Sequence, residues 1–214
     1  VSAKPDLPVR NINTGLDYAS IQEAIDAPET LDGHMIFVEA GTYYEHVTID
    51  KSISLIGENK TTTIIDGNQT EFVLSITSSN VTVEGFTFRN PPRNIGITAN
   101  NVTSCFIKEN IFTGNYYGIK LNSCVNSTVI NNTARDNRVG VLLESSPNST
   151  VGGNLVYSNL YNGILVKNSS SCIVRDNDVA WSNYGIRIEN SSKCEIKNNV
   201  VEKTIYYGLQ TRLS

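Results

Sequence analysis

Histidine occurs twice, methionine once and tryptophan once in 214 residues, and cysteine four times. A soft-metal site built from outward His, Met or Cys clusters has little to draw on. No CxxC or HxxxH spacing supports a zinc site. A run of basic residues is also missing, and the net charge is −4, so the electrostatic footprint of a nucleic-acid or anionic-membrane partner is absent. No apolar stretch approaches the roughly 20 residues that span a bilayer. The opening Val1-Ser2-Ala3 has neither Met nor an apolar signal segment, which predicts a chain trimmed from a longer precursor.

Hydrophobic residues make up 39% of the chain, enough for the continuous core of one elongated domain. Nine N-x-[ST] sequons stand at Asn59, Asn68, Asn80, Asn101, Asn126, Asn131, Asn148, Asn168 and Asn190. They read either as glycosylation sites of a secreted protein or as triplets generated by turns that demand Asn and Ser. On both readings they lie at the surface.

A repeat decides the fold. Gly96-Ile97, Gly118-Ile119, Gly140-Val141, Gly163-Ile164, Gly185-Ile186 and Gly208-Leu209 recur every 22 or 23 residues, and Asn110, Asn132, Asn154, Asn177 and Asn199 form a second column in the same register. Each repeat holds three short alternating segments, as at 104–107, 110–112 and 118–121, none with helical spacing. Alternation turns three sets inward: Ile107, Val129, Val151, Val174, Ile196; Phe112, Ala134, Val156, Val179, Val201; and Leu121, Leu143, Val166, Ile188. The pattern predicts an all-β, right-handed, single-stranded parallel β-helix. The Asn column fits a turn in which each amide bonds the next. The glycines suit either positive φ or close backbone approach.

Upstream, segments at 35–38, 47–49, 52–56, 63–65, 72–76 and 81–88 continue the pattern, giving about eight coils. Ile21, Ala24 and Ile25, within 17–25 and ahead of Pro28, predict a short amphipathic helix that covers the open first coil. The expected organisation is an N-terminal segment with capping helix over 1–34 and a β-helix over 35–214. At the far end 208–214 begins a repeat without completing it. That predicts an excised piece of a longer protein, or an end that packs on another subunit.

Gly41-Thr42-Tyr43-Tyr44-Glu45-His46-Val47, followed by Ile49, Lys51, Ile53, Leu55-Ile56-Gly57 and Thr63-Ile64-Ile65-Asp66-Gly67, resembles the opening coils of NosD-like β-helix proteins. The later Gly-Ile and Asn columns resemble the tandem repeats of the same carbohydrate-binding and sugar-hydrolase type. The superfamily includes carbohydrate-binding proteins, polysaccharide hydrolases and lyases, copper-site maturation proteins and archaeal cell-surface repeat proteins. Sequon density with few cysteines is most similar to the archaeal surface group. The opening is also similar to pectin methylesterases, without the paired aspartates of that family. The Asp-Asp pair and Gly-His-Gly of polygalacturonases are missing, and His34 and His46 both lie in the first coils.

A lyase-like site would need outward carboxylates for Ca²⁺ and a base. The available residues are Asp136, Asp176 and Asp178, with Arg135, Arg175 or Arg187; solvated surface charge is the default for all of them. Cys105, Cys172 and Cys194 share an inward column with Ser127 and Ser149, which suits small buried side chains, while Cys124 lies off it. A Cys172–Cys194 bridge would need local distortion. Tyr116, Tyr117, Tyr161, Tyr184, Tyr206 and Tyr207 precede the repeat glycines, forming a row that either stacks on sugar faces or shields a turn. The resulting expectation is a non-catalytic, extracellular surface module serving as spacer or carbohydrate-contacting platform, without a cofactor. Its expected partners are polysaccharide, other envelope proteins, or a second copy at the open C-terminal end. An enzyme acting on acidic glycans is the rival, and NosD-like metal-site maturation stands third.

Overall fold

The computed structural model describes residues 7–68, 70–89 and 94–212. Eight coils wind one strand each into three sheets, and every pairing between coils is parallel. The fifth coil shows the plan. Thr128–Ile130 lies in the first sheet, Thr133–Arg135 in the second and Val139–Glu144 in the third. Alternation sends Val129, Ala134, Val141 and Leu143 inward, all fully buried. Each of the larger aliphatic side chains contributes about 1.5–3 kcal/mol of burial.

Four corners separate the strands of this coil, at Asn131, Asp136, Ser145 and Asn148, all with φ between 51° and 57°. Asn and Asp tolerate the left-handed region better than most side chains. The residue after each corner, Asn132, Asn137, Ser146 or Ser149, is buried and polar, and it hydrogen-bonds the coils on either side. Asn132 Oδ1 accepts from the backbone N–H of Asn110 at 3.0 Å and from Asn110 Nδ2 at 3.3 Å, while Asn132 Nδ2 donates to Ile107 O at 2.9 Å and Asn154 Oδ1 at 3.1 Å. Each amide thus satisfies backbone groups that a tight corner leaves unpaired.

The column running from Asn110 to Asn199 is one of four. Asn115, Asn137 and Asn159 form a second, with side-chain bonds of 2.9 and 3.2 Å. Cys105, Ser127 and Ser149 form a third, and Cys124, Ser146, Ser169 and Ser191 a fourth, in which a backbone N–H donates to the Oγ of the next coil. The inward cysteines are therefore hydrogen-bonding steps as well as small packed groups.

The repeat glycines have no positive φ. A Cβ on Gly118 would lie 2.7 Å from Gly140 O, and the same approach repeats along the column, so close backbone contact excludes a side chain there. Gly85 is different. Its φ of +86° breaks the segment at 81–88, expected as one run, into Thr82–Glu84 of the first sheet and Thr87–Arg89 of the second.

At the N-terminal end the helix is Ile21–Asp26, shorter than the expected 17–25 because Asp17–Tyr18 instead pairs antiparallel with Val9–Asn11. Val9–Asn11 in turn pairs antiparallel with Met35–Val38 and covers the edge of the first sheet. Ser20 caps the helix by accepting from Glu23 N at 3.1 Å, which satisfies one of its free donors. The Glu45 carboxylate accepts from Ile21 N and Gln22 N at 3.1 and 3.0 Å, and Lys51 Nζ donates to Ile25 O and Ala27 O. An anion at the N-terminus and a cation at the C-terminus oppose the helix dipole. Two residues of the opening segment thereby hold the cap on the solenoid.

At the other end Tyr207–Arg212 pairs with Tyr184–Glu189 and supplies the third strand of the eighth coil. It does not open a further repeat. Leu213 and Ser214, the last residues of the expected partial repeat, lie outside the described residues. Ile196, Val201 and Leu209, whose counterparts in earlier coils are buried, are half-buried or exposed at this end.

Candidate functional site

The corners carry the sequons. All nine sequon asparagines are exposed, and all but Asn59 have positive φ. The triplet follows from the corner itself: a left-handed Asn, an inward residue such as Ser127 or Ser149, then an outward Ser or Thr that starts the next segment. Asn80, Asn101, Asn126, Asn148, Asn168 and Asn190 all lie between the third sheet of one coil and the first sheet of the next. Asn101, Asn168 and Asn190 take the first corner of this edge and Asn80, Asn126 and Asn148 the second, so six side chains are divided between two adjoining corner columns. Asn59 and Asn131 lie between the first and second sheets, and Asn68 between the second and third.

The tyrosines occupy a different edge, where the second sheet turns into the third. Tyr116 and Tyr161 flank Arg138, which takes the equivalent position one coil from each. The guanidinium carbon is 4.7 Å from the Tyr116 ring centroid and 4.4 Å from that of Tyr161, a cation held between two π faces. Lys120 Nζ lies 5.5 Å from the Tyr117 ring, and Arg187 lies 4.8 Å from the Tyr184 ring. Tyr116 and Tyr117 are 4.7 Å apart, and Tyr184 lies 5.3 and 6.1 Å from Tyr206 and Tyr207. Burial raises the Tyr117 phenol above its ordinary pKa, with Tyr116 adding to the effect. Arg138 is the residue that sequence reasoning missed. Its signal was its place in the column of Tyr116 and Tyr161, at intervals of 22 and 23.

Ion pairs occupy most of the basic side chains, on this edge as elsewhere. Arg135 pairs with Asp136 and Arg175 with Asp176, each at 2.6 Å, and Arg187 with Glu189 at 2.5 Å. Arg138 and Lys120 form no ion pair or side-chain hydrogen bond among the described residues. Beside Arg138 is a hollow of about 260 Å³ lined by Gly114, Asn115, Asp136, Asn137, Ser158 and Leu160.

The acidic residues considered for a lyase fall at two corners. Asp176 and Asp178 flank the turn from first to second sheet, whereas Asp136 sits at the turn from second to third, two coils earlier. The hydrogen bond from Arg175 lowers the Asp176 carboxyl below its ordinary pKa. Among the described residues no group of three or more His, Cys, Asp or Glu is arranged to hold a metal ion. His34 Nδ1 lies 3.1 Å from Asn11 Nδ2, and the His46 ring packs edge-on against Phe72.

All four cysteines are free thiols. Burial pushes Cys105 and Cys172 up to about 11 and raises Cys124 as well. A protonated, enclosed thiol is a poor nucleophile. Alkylation of the native protein at pH 8 is therefore expected at Cys194 alone, with the other three labelled only after denaturation; peptide mapping reads this directly. The linkage has a definite sign. Cys105 and Cys172 ionise more readily unfolded, so they favour the folded state below about pH 9, and this contribution is lost as pH rises towards about 11.

Residues 72–214 match the model of the right handed beta helix region. The chain belongs to that family. The matched span runs from the third strand of the second coil onward, so the eight-coil solenoid is right-handed. A cell surface glycoprotein of Methanothermus fervidus is 36% identical over 117 residues, 51% of this chain and 19% of that protein. A pectinesterase of Petunia integrifolia is 40% identical over 73 residues, 32% of this chain and 19% of its own length. The β-helix chain thus spans about a fifth of the curated relatives it matches. Among solved structures, the Dettilon tailspike protein superposes with a TM-score of 0.67 at 17% identity, covering 85% of this chain and 39% of its own. A periplasmic alginate epimerase superposes with a TM-score of 0.61 at 24% identity, covering 71% and 36%. Both likenesses show the fold. No helix is long and apolar enough to cross a membrane among the described residues.

Proposed function

We propose that this β-helix is a rigid, non-catalytic module of an extracellular cell-surface glycoprotein, carrying its own glycans along one edge and working as a spacer that also contacts carbohydrate. The observation that carries the proposal is the set of six exposed sequon asparagines on the edge between the third and first sheets. The Methanothermus fervidus relative, itself named a cell surface glycoprotein, supports the location. Within the family we place the chain with the NosD-like repeats of the archaeal surface group, on its sequon density and few cysteines. Its partners are polysaccharide, other envelope proteins, or a second copy meeting the exposed apolar residues of the C-terminal coil.

Antibody labelling and protease shaving of intact native cells test this reading. Surface labelling that disappears after shaving is expected. Signal only after permeabilisation would overturn the proposal.

The rival, action on acidic glycans through Asp136, Asp176, Asp178 and Arg175 with Ca²⁺, draws on the pectinesterase match. Against it stand the separation of Asp136 from the other two carboxylates and the ion pairs that occupy Asp136 and Asp176. Release of unsaturated uronate products in the presence of Ca²⁺ would favour it. Metal-site maturation has weaker support still, because Cys105, Cys124 and Cys172 are buried and His34 is bonded within the N-terminal cap.

A further inference from the structure

The edge between the second and third sheets carries no sequon from the third coil to the eighth, whereas six stand between the third sheet and the first. On that edge stand rings and cations. Arg138 and Lys120 face tyrosines and lack carboxylate partners, whereas most of the other described basic side chains are paired. In a chain of net charge −4, two unpaired cations on one narrow strip mark a local positive site.

Stacking dictates what Arg138 can still do. Arg138 lies between Tyr116 and Tyr161, its guanidinium carbon 4.7 and 4.4 Å from the two ring centroids, and its N–H donors, which lie in the plane of the group, have no hydrogen-bond partner among the described residues. They form the fork a carboxylate engages through two parallel N–H···O bonds. The rings also restrict the side chain before any ligand arrives, which reduces the entropy lost on binding. Asp136, the carboxylate lining the adjoining hollow, is held by Arg135 at 2.6 Å. Sugars bring apolar C–H faces as well as oxygens, and the tyrosines on either side offer both ring faces and hydroxyls.

We infer that this edge binds a uronate-bearing polysaccharide, with a sugar carboxylate on the in-plane donors of Arg138 and neighbouring sugar faces against Tyr116 and Tyr161. The chain of the ligand runs along the rod axis, because rings and cations recur from coil to coil in that direction. The inference specifies the carbohydrate contact of the proposed surface module, and it can fail while that module stands.

The test is affinity electrophoresis of the purified protein through gels containing polygalacturonate, dextran sulfate or neutral dextran. Retardation by polygalacturonate, none by dextran, and at least a tenfold weaker polygalacturonate interaction for Arg138→Gln are expected, as for loss of a charge-assisted bidentate pair. Arg138→Lys keeps the charge but not the fork, and should also bind about tenfold more weakly; circular dichroism melting confirms that each variant is folded. No retardation by polygalacturonate overturns the inference. So does undiminished binding by folded Arg138→Gln or Arg138→Lys, or retention by dextran sulfate alone, which denotes charge without carboxylate recognition. Glycan occupancy of the edge between the third and first sheets is scored separately, so bare sequons would count against the surface module and an unretarded protein against the tyrosine edge.

Discussion

Replacing Asn154 by leucine is expected to destabilise the protein by about 3–5 kcal/mol, although the two side chains are similar in size. Asn154 Oδ1 accepts from Asn132 N at 2.9 Å and Asn132 Nδ2 at 3.1 Å; its Nδ2 donates to Val129 O at 3.0 Å and Asn177 Oδ1 at 2.9 Å. The residue is 1% exposed, so water cannot replace these bonds, and each buried polar group left unpaired costs about 1–3 kcal/mol. At about 2–4 °C per kcal/mol for a chain of this size, the thermal midpoint should fall by roughly 10 °C. Asn148→Gly is the control, since Asn148 is an exposed left-handed corner where glycine is at no steric disadvantage. A melting curve for Asn154→Leu as high as that of Asn148→Gly would mean that the inward amides do not carry the corners.

Gly140→Val should be at least as damaging, by about 3 kcal/mol or more, through overpacking. A Cβ there would meet Gly163 O at 2.6 Å and Val156 Cγ1 at 2.8 Å, and the first of these is backbone that cannot turn aside. Gly114→Asn makes the informative comparison. Gly114 has φ +73° and nothing within 4 Å of an added Cβ, and Asn tolerates that conformation, so the change should stay within about 1 kcal/mol. Equal losses from both substitutions, measured by denaturant titration, would show that backbone conformation rather than coil-to-coil approach governs these glycines.

The two substitutions also mark what a single sequence displays. The period is visible because Gly118, Gly140 and Gly163 answer one steric demand that only one residue type meets, so identity itself repeats. The column containing Cys124, Ser146 and Ser169 answers a looser demand, for any small inward group able to accept a hydrogen bond, and its residue types vary enough to hide it. Left-handed corners are looser still. Glu109, Asn131, Gly153 and Asp176 share one corner column, and Trp181 and Lys203 another, because the neighbouring ladders impose the conformation whatever the side chain prefers.

Val9–Asn11 escaped notice since three residues carry too little alternation to register as a strand, and its antiparallel pairing with Met35–Val38 is set by tertiary context. On the tyrosine edge the rings announce themselves, whereas Arg138 interrupts the aromatic pattern while occupying the same position. Its importance lies in what flanks it across the coils, a neighbourhood that linear spacing discloses only once the register is known.

Site-resolved glycopeptide mapping of the protein from its native source tests the proposed surface module most directly. Hexose-bearing peptides should include several of Asn101, Asn126, Asn148, Asn168 and Asn190, whose side chains share one exposed edge. Finding all nine sequon asparagines unmodified on protein taken from native cells would contradict it.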